Sequence, residues 1–370
     1  MTSKRMLVIC PFPQGVAAGQ RLKYEQYFDV WKAQGWEIDV SSFMDTDMWS
    51  VVYEKGNYVG KVLGVLRGTA RRIRDLFRVS NYDLVYVFMY VTPFGTSFME
   101  RLIRKLAPRL VYDVEDNILV EQNLPKDQNP NPIMRYLKGP GKTRYLLKTA
   151  DHVITSSPFL NEFCLEINAK KCCTYISSSI DTDTFLPKTP YSNDTPVTIG
   201  WTGTYSSMVF LDLLRDVFVR LAERVPYKLT VIGNFDYELP GVDLNVIRWS
   251  REKEVADLQT FDIGVYPLPI DDWVLGKSGL KVIQYMAFGL PSVSTNVGTT
   301  PLIISDGENG LLVKTEDQWV DALEALVKDE NLRRKLGETA RQNAVDRYSL
   351  HAIGQKYTNI LNQLVESDQC

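Results

Sequence analysis

Gly276-Lys277-Ser278-Gly279-Leu280-Lys281-Val282-Ile283-Gln284-Tyr285-Met286-Ala287-Phe288-Gly289-Leu290-Pro291 joins a Gly/Lys-rich loop to a short helical pattern that stops at Gly289 and Pro291. Leu280, Ile283, Met286 and Ala287 recur at helical spacing, which predicts one buried face. Lys277, Ser278, Gly279 and Lys281 remain around the opening turn. There, amides without intrahelical acceptors and the positive end of the helix dipole favour an anion. Two lysines beside small residues suit a diphosphate better than a single carboxylate.

Outward from this stretch, short apolar runs alternate with helical patterns. Met6–Cys10, Trp36–Phe43, Leu84–Phe88, Leu110–Tyr112 and His152–Thr155 read as strands, with helical stretches at 19–34, 59–78, 92–106 and 131–149. Pro187 to Pro196 is polar and proline-bearing and reads as a linker. The pattern then restarts, with strands at Val197–Trp201, Lys228–Gly233, Leu244–Trp249, Ile263–Pro267 and Ser292–Thr295. Helices are expected at 207–224, 252–259, 280–288 and 316–328. Such alternation predicts parallel doubly wound sheets in two successive α/β units, with ligands beyond the carboxyl ends of the strands. A length of 370 residues suits two domains, and 45% hydrophobic with 24% charged residues marks a globular chain.

A net charge of −3 argues against a general nucleic-acid binder. The five cysteines (Cys10, Cys164, Cys172, Cys173, Cys370) are odd in number and lack framework spacing, which points to a reducing cytosol. Adjacent Cys172 and Cys173 read as unlinked side chains on opposite faces of a strand. The short apolar run Met6–Cys10, broken by Pro11 and Pro13, is a first strand and not a signal peptide. No run approaches membrane-spanning length.

The passage 284–298, Gln-Tyr-Met-Ala-Phe-Gly-Leu-Pro-Ser-Val-Ser-Thr-Asn-Val-Gly, is followed by Asp306-Gly307-Glu308-Asn309-Gly310-Leu311-Leu312-Val313. Together they resemble the donor half of family 4 glycosyltransferases, retaining sugar transferases of the two-domain GT-B fold. The similarity extends upstream through Asp262–Leu268 and Ile199–Gly203, and downstream from Leu332-Arg333-Arg334 to Arg347-Tyr348-Ser349. It implies two Rossmann-like domains facing a cleft. The first, acceptor-side domain would be 1–187, rejoined by a C-terminal helix within 350–370. The second, 188–349, would bind the donor, a UDP or GDP sugar, with no metal or other cofactor.

Relatives commonly carry two glutamates separated by seven residues in the donor loop. The matching positions here are Gly276 and Gln284, a variant and not decay: the Gln284 amide can still bond a ribose diol. Asp271 and Asp272, beside Trp273, would supply the missing contact to the donor sugar. An Arg and a Lys that relatives place after the first glycine turn are absent as well. Backbone N–H groups at Gly203 and Thr204, with the hydroxyls of Thr204, Ser206 and Ser207, would bind phosphate instead. The remaining positive charge would come from Lys277, Lys281 and, across the cleft, Arg21; the plain alternative for the two lysines is a solvated surface. Trp249 and Ser250 match the place where relatives hold the base, though Trp249 could equally pack the core.

On the acceptor side, Pro13 to Arg21 resembles the glycine loop that closes on donor phosphates, with Gly15 and Gly19 allowing close backbone approach. Its plain alternative is a strand-to-helix turn. Asp113, Glu115 and Asp116 follow the strand Leu110–Tyr112. Glu115 or Asp116 could orient the acceptor hydroxyl, take its proton or stabilise a positive sugar, or the group could simply cap the next helix. His152, inside an apolar strand, reads as packed. Lys61, Arg67, Arg71, Arg72, Arg74 and Arg78 share a stretch with Leu63, Leu66, Ala70, Ile73 and Phe77 at helical spacing. This basic amphipathic helix reads as a peripheral membrane or acceptor surface, or else as a helix covering the core.

The activity implied is transfer of a sugar with retention to a saccharide or lipid-linked saccharide, in bacterial surface polysaccharide or glycolipid synthesis, on the cytoplasmic side of the membrane. Two other readings stand: a sugar-nucleotide epimerase on the same fold, and a non-catalytic nucleotide-sugar-binding subunit.

Overall fold

A computed structural model describes residues 4–52, 56–93, 96–115, 141–187 and 196–366, and leaves the Trp273 side chain undescribed. The chain divides into two compact units, Met1–Ser177 with Ile353–Cys370, and Ser178–Ala352. Each holds a parallel six-stranded sheet.

In the first unit the strand order is β2-β1-β3-β4-β5-β6. The strands are β1 (Lys4–Cys10), β2 (Trp36–Ser42), β3 (Leu84–Phe88), β4 (Leu110–Val114), β5 (His152–Thr155) and β6 (Cys173–Tyr175). Met6 to Cys10 and Leu84 to Phe88 are buried along their whole length, as strands covered on both faces must be. The helix Leu350–Glu366 belongs largely to this unit, where Tyr357 packs 5.0 Å from the Tyr27 ring and 6.0 Å from Trp31. Two expectations need correction. The helix over 19–34 is broken into Ala18–Arg21, a 3₁₀ turn Glu25–Tyr27 and Phe28–Ala33. Strand β4 runs two residues further than Tyr112, so Asp113 is an interior strand residue with no exposed surface.

The Tyr58–Arg78 helix packs the opposite way round from a core-covering helix. Gly64, Gly68, Arg72 and Asp75 face inward. A Cβ on Gly64 would lie 2.6 Å from Met48, and one on Gly68 2.6 Å from the Phe43 carbonyl, so only glycine permits this approach. The apolar side chains at Leu63, Leu66, Ile73 and Phe77 point to solvent, Phe77 with 82% of its surface exposed. Arg72 is therefore no part of an acceptor or membrane surface: it is fully buried, bonded to Asp75, to Ser41 and to the carbonyls of Cys10 and Val91. Arg71 is half-buried and paired with Asp45 at 2.6 Å. Arg67 is exposed but also reaches Asp45, at 2.9 Å, while Arg74 is exposed.

The second unit has the order β12-β11-β10-β7-β8-β9. Its strands are β7 (Val197–Thr202), β8 (Tyr227–Ile232), β9 (Leu244–Ile247), β10 (Ile263–Tyr266), β11 (Ser292–Thr295) and β12 (Leu311–Val313). The chain leaves β7 toward β8 and leaves β10 toward β11, in opposite directions across the sheet, so the switch point lies between β7 and β10. This unit starts at Ser178, before the boundary expected at 187/188. Residues 178–187 are tied to it by an Ile180–Ser349 bridge, by Arg341 Nη1 and Nη2 donating to the Phe185 and Thr182 carbonyls, and by the Phe185–Phe288 ring contact at 5.6 Å. Most of the expected linker lies outside the described residues.

Candidate functional site

In the second unit the candidate donor residues gather beyond the carboxyl ends of the strands. Gly203 and Thr204 follow β7, Trp249 and Ser250 follow β9, and 267–281 follow β10. The helix Leu280–Ala287 begins at Gly279, which is left-handed at φ 72°. A Cβ there would also lie 2.4 Å from Ile303, so backbone strain and crowding both require glycine. The Val282 and Ile283 amides donate to Gly279 O and close the first turn. Upstream, Asp272–Gly276 forms a 3₁₀ turn anchored by buried Val274, and the Lys277 carbonyl accepts from Thr299 Oγ1 at 2.8 Å. The loop before the helix is thus held from three sides.

Lys281 is half-buried, its ammonium 5.5 Å from the Trp201 ring and 5.8 Å from the Tyr266 ring. These rings lie at the carboxyl ends of β7 and β10, so the charge sits at the switch point. Lys277 Nζ lies 5.9 Å from the Phe210 ring. Neither is a lysine extended into open solvent, and aromatic faces stabilise a cation where water is partly excluded. Ser278 and Gln284 are buried, Gln284 with 5% of its surface exposed. Asp271 and Asp272 are exposed at the start of the 3₁₀ turn. The helix itself is buried almost all round, Val282 and Tyr285 as well as Ile283, Met286 and Ala287, whereas Leu280 is only half-buried. Trp249 is half-buried and lies outside the core cluster of this unit.

Gly203 and Thr204 do not present their amides as expected. The Gly203 N–H donates to Ile232 O at 3.0 Å, completing the β7–β8 pairing, and the Thr204 N–H donates to Ser207 Oγ at 2.9 Å. What this turn offers is hydroxyl groups, with Thr204 Oγ1 and Ser206 Oγ 2.9 Å apart. Gly203 is required for packing, since a Cβ would meet Trp201 at 2.2 Å.

In the first unit the glycine loop and the acidic strand end come together. A Cβ on Gly19 would lie 3.1 Å from Glu115 Oε2, so the absence of a side chain lets the carboxylate approach. Gly15 is left-handed at φ 79°, and its N–H donates to Glu25 Oε2 at 2.7 Å. Gln20 Nε2 donates to Glu25 Oε1 and to the Phe12 carbonyl. These buried polar groups shape the loop well beyond a plain turn. Arg21 and Glu115 are half-buried. Asp116 lies outside the described residues. Beneath Glu115, Asp113 Oδ1 is 2.8 Å from Lys23 Nζ, and Asp113 Oδ2 accepts from the Tyr86 hydroxyl. Burial raises the Asp113 carboxyl above the usual range against the pull of Lys23. His152 bonds Thr174 Oγ1 at 2.9 Å and is held neutral, its pKa lowered by burial to about 4, as a packed residue would be. Cys10, Cys164, Cys172 and Cys173 are all free thiols.

Residues 196–329 match the family described as Glycosyl transferases group 1. N-acetyl-alpha-D-glucosaminyl L-malate synthase of Bacillus anthracis is 33% identical over 93 residues, 25% of this chain and 24% of that protein. The chain thus spans about a quarter of that curated relative. Over nearly the whole chain, sucrose-phosphate synthase of Thermosynechococcus elongatus superposes with a TM-score of 0.74 at 15% identity, covering 98% of this chain and 100% of that one. Anabaena HepE, crystallised with UDP-glucose, gives 0.64 at 14% identity, with 97% and 99% covered. The fold is GT-B.

Sequence reasoning did not reach Trp201 and Tyr266 as the seat of Lys281, nor Gln20 and Glu25 as the frame of the glycine loop. An unusual glutamine and glutamate within a loop-to-helix passage is a weak signal. Asp113, breaking the apolar run Leu110–Val114, is a stronger one, because a strand buried on both faces tolerates a carboxylate only with a partner.

Proposed function

We propose that the protein is a glycosyltransferase that moves a sugar from a nucleoside diphosphate, UDP or GDP, to an acceptor hydroxyl with retention and without a metal. One observation carries this: an ammonium group, Lys281, seated between two aromatic rings at the start of a glycine-led helix, at the switch point of a doubly wound sheet. That arrangement suits a diphosphate through charge and helix amides together. The group 1 match over this unit and the UDP-glucose complex of Anabaena HepE support the reading.

In it, Lys277, Ser278, Gly279 and Lys281 hold the diphosphate, aided by the Thr204 hydroxyl at the Gly203 turn. Gln284 bonds the ribose, and Trp249 with Ser250 meets the base. Asp271 and Asp272 contact the sugar. The acceptor oxygen attacks the anomeric carbon on the face the diphosphate leaves. The diphosphate departs with the electron pair of the broken C–O bond, and the acceptor proton passes to its oxygen or to Glu115. The acceptor is a saccharide or lipid-linked saccharide of a bacterial surface polymer or glycolipid, met on the cytoplasmic side.

A panel of UDP and GDP sugars tests the donor reading by thermal stabilisation, since a ligand bound only by the native state raises the midpoint. At least one donor is expected to do so; no shift with any of them would sink it. With that donor, Glu115→Gln should lower turnover about 10²-fold with donor affinity unchanged. Full activity would remove Glu115 from the chemistry. Donor alone should release little free nucleotide and no isomerised sugar, which separates transfer from epimerisation.

A further inference from the structure

The first unit carries a second feature, independent of the donor reading. On the Tyr58–Arg78 helix, Val59, Val62, Leu63, Leu66, Ile73 and Phe77 are all exposed. At 100° per residue they occupy one continuous arc of about 100°, from Val62 to Leu63. The helix cannot roll to bury them, because Gly64 and Gly68 touch the layer beneath and Arg72 with Asp75 is locked into the strand ends. Large side chains on a well-anchored helix are therefore committed to solvent or to something that covers them.

The charges around this stripe decide what that is. The Tyr58–Arg78 helix packs beside Phe98–Leu106, which packs beside Gly141–Thr149. Across the three helices the acidic residues are Asp75 and Glu100, and both are fully buried. Their exposed charges are Arg67, Arg74, Arg101, Lys105, Arg144 and Lys148, every one basic. Arg67 is paired with Asp45 at 2.9 Å and with exposed Asp47 of the adjoining Thr46–Val52 helix at 3.6 Å, so the other five set the sign of the face. Beside the stripe, a cavity of about 400 Å³ between the ends of β1 and β2 is lined in part by Arg71 and Arg74. A second copy of the chain docked face to face would set these cations against one another. A nucleic acid would leave the apolar stripe unmatched. We propose that this face docks on a bilayer surface containing anionic lipid: the apolar stripe enters the headgroup–acyl boundary and the flanking arginines and lysines meet lipid phosphates. Among the described residues no helix is long and apolar enough to cross a membrane, so the contact is interfacial.

Flotation or co-sedimentation of the full chain with vesicles tests this without any nucleotide sugar, so the outcome is separable from that of the donor assays. The chain should bind phosphatidylcholine vesicles containing about a quarter phosphatidylglycerol, and bind phosphatidylcholine alone at least about tenfold more weakly. Leu66→Glu/Phe77→Glu should lower partitioning into the anionic vesicles by about tenfold or more. Arg101→Glu/Arg144→Glu should do the same and keeps the test open if the first pair misfolds by circular dichroism. Wild-type protein that stays with the supernatant would overturn the proposal, and so would folded variants that bind as well as wild type. A wild-type dimer that Leu66→Glu/Phe77→Glu converts to monomer, with no vesicle binding, would assign the face to self-association instead.

Discussion

Arg72→Ala is expected to lower the free energy of unfolding by about 3–5 kcal/mol, seen as a fall in the urea midpoint with an unchanged slope. Arg72 Nε donates to Val91 O at 2.6 Å, Nη2 to Cys10 O at 2.9 Å, and Nη1 to Ser41 O at 3.1 Å, Ser41 Oγ at 2.9 Å and Asp75 Oδ2 at 3.0 Å. One guanidinium thus satisfies the carbonyl ends of β1 and β2 and the turn after β3. Burial lowers its pKa, opposed by Asp75, but a guanidinium stays charged through the ordinary range. Alanine would strip the Arg72 donors from the Val91, Ser41 and Cys10 carbonyls, of which Cys10 O keeps the Phe43 N–H at 2.8 Å, and would leave a void the size of the side chain. Asp75 would keep Arg78 at 3.0 Å and the Ser41 hydroxyl, so the carboxylate is not wholly abandoned. The main loss therefore falls on the strand ends. Arg72→Lys, with the charge but without the fork, should recover only part of it. A change below about 1 kcal/mol for the alanine variant would mean that water reaches the site freely, and the burial argument would fail.

Arg72 also marks where sequence reasoning stopped. The strands were readable because parallel strands covered on both faces are uninterrupted apolar runs, as in Met6–Cys10 and Leu84–Phe88. The alternation with helices then left few topologies, and the motifs after β7, β9 and β10 fell where such sheets bind ligands. Helical periodicity gives the direction of a stripe but not the side on which the core lies. For the Tyr58–Arg78 helix the deciding facts were Gly64 and Gly68, small enough for close approach, and carbonyls of β1, β2 and the turn after β3 waiting for Arg72. None of these is adjacent in sequence. The Gly203 amide was misjudged for a related reason: its acceptor, Ile232 O, is set by the β7–β8 register. Asp113 reads in sequence as a carboxylate past the strand end because its neutralising partner, Lys23, follows β1 and is remote from it along the chain.

Lys281→Met should raise the dissociation constant for the nucleoside diphosphate by roughly thirtyfold, about 2 kcal/mol, in a calorimetric titration. Methionine keeps most of the apolar stem against Trp201 and Tyr266 and removes the charge, so the apo-protein should melt within about a degree of wild type. The effect should be the larger of the two lysines. Lys281 lies in the first turn of the helix, where its ammonium and the opening amides can reach the same anion, while Lys277 precedes Gly279 and leans on Phe210. Raising the salt concentration should weaken wild-type binding and narrow the gap, because the lost term is electrostatic and only half shielded from solvent. The companion change Gly279→Ala distinguishes charge from geometry. It would strain a φ of 72° and push Ile303, displacing the helix start, so it should cost stability as well as affinity. Lys281→Met with unaltered affinity, in a protein that still binds UDP or GDP, would place the diphosphate elsewhere and dissolve the assignment of every residue around it.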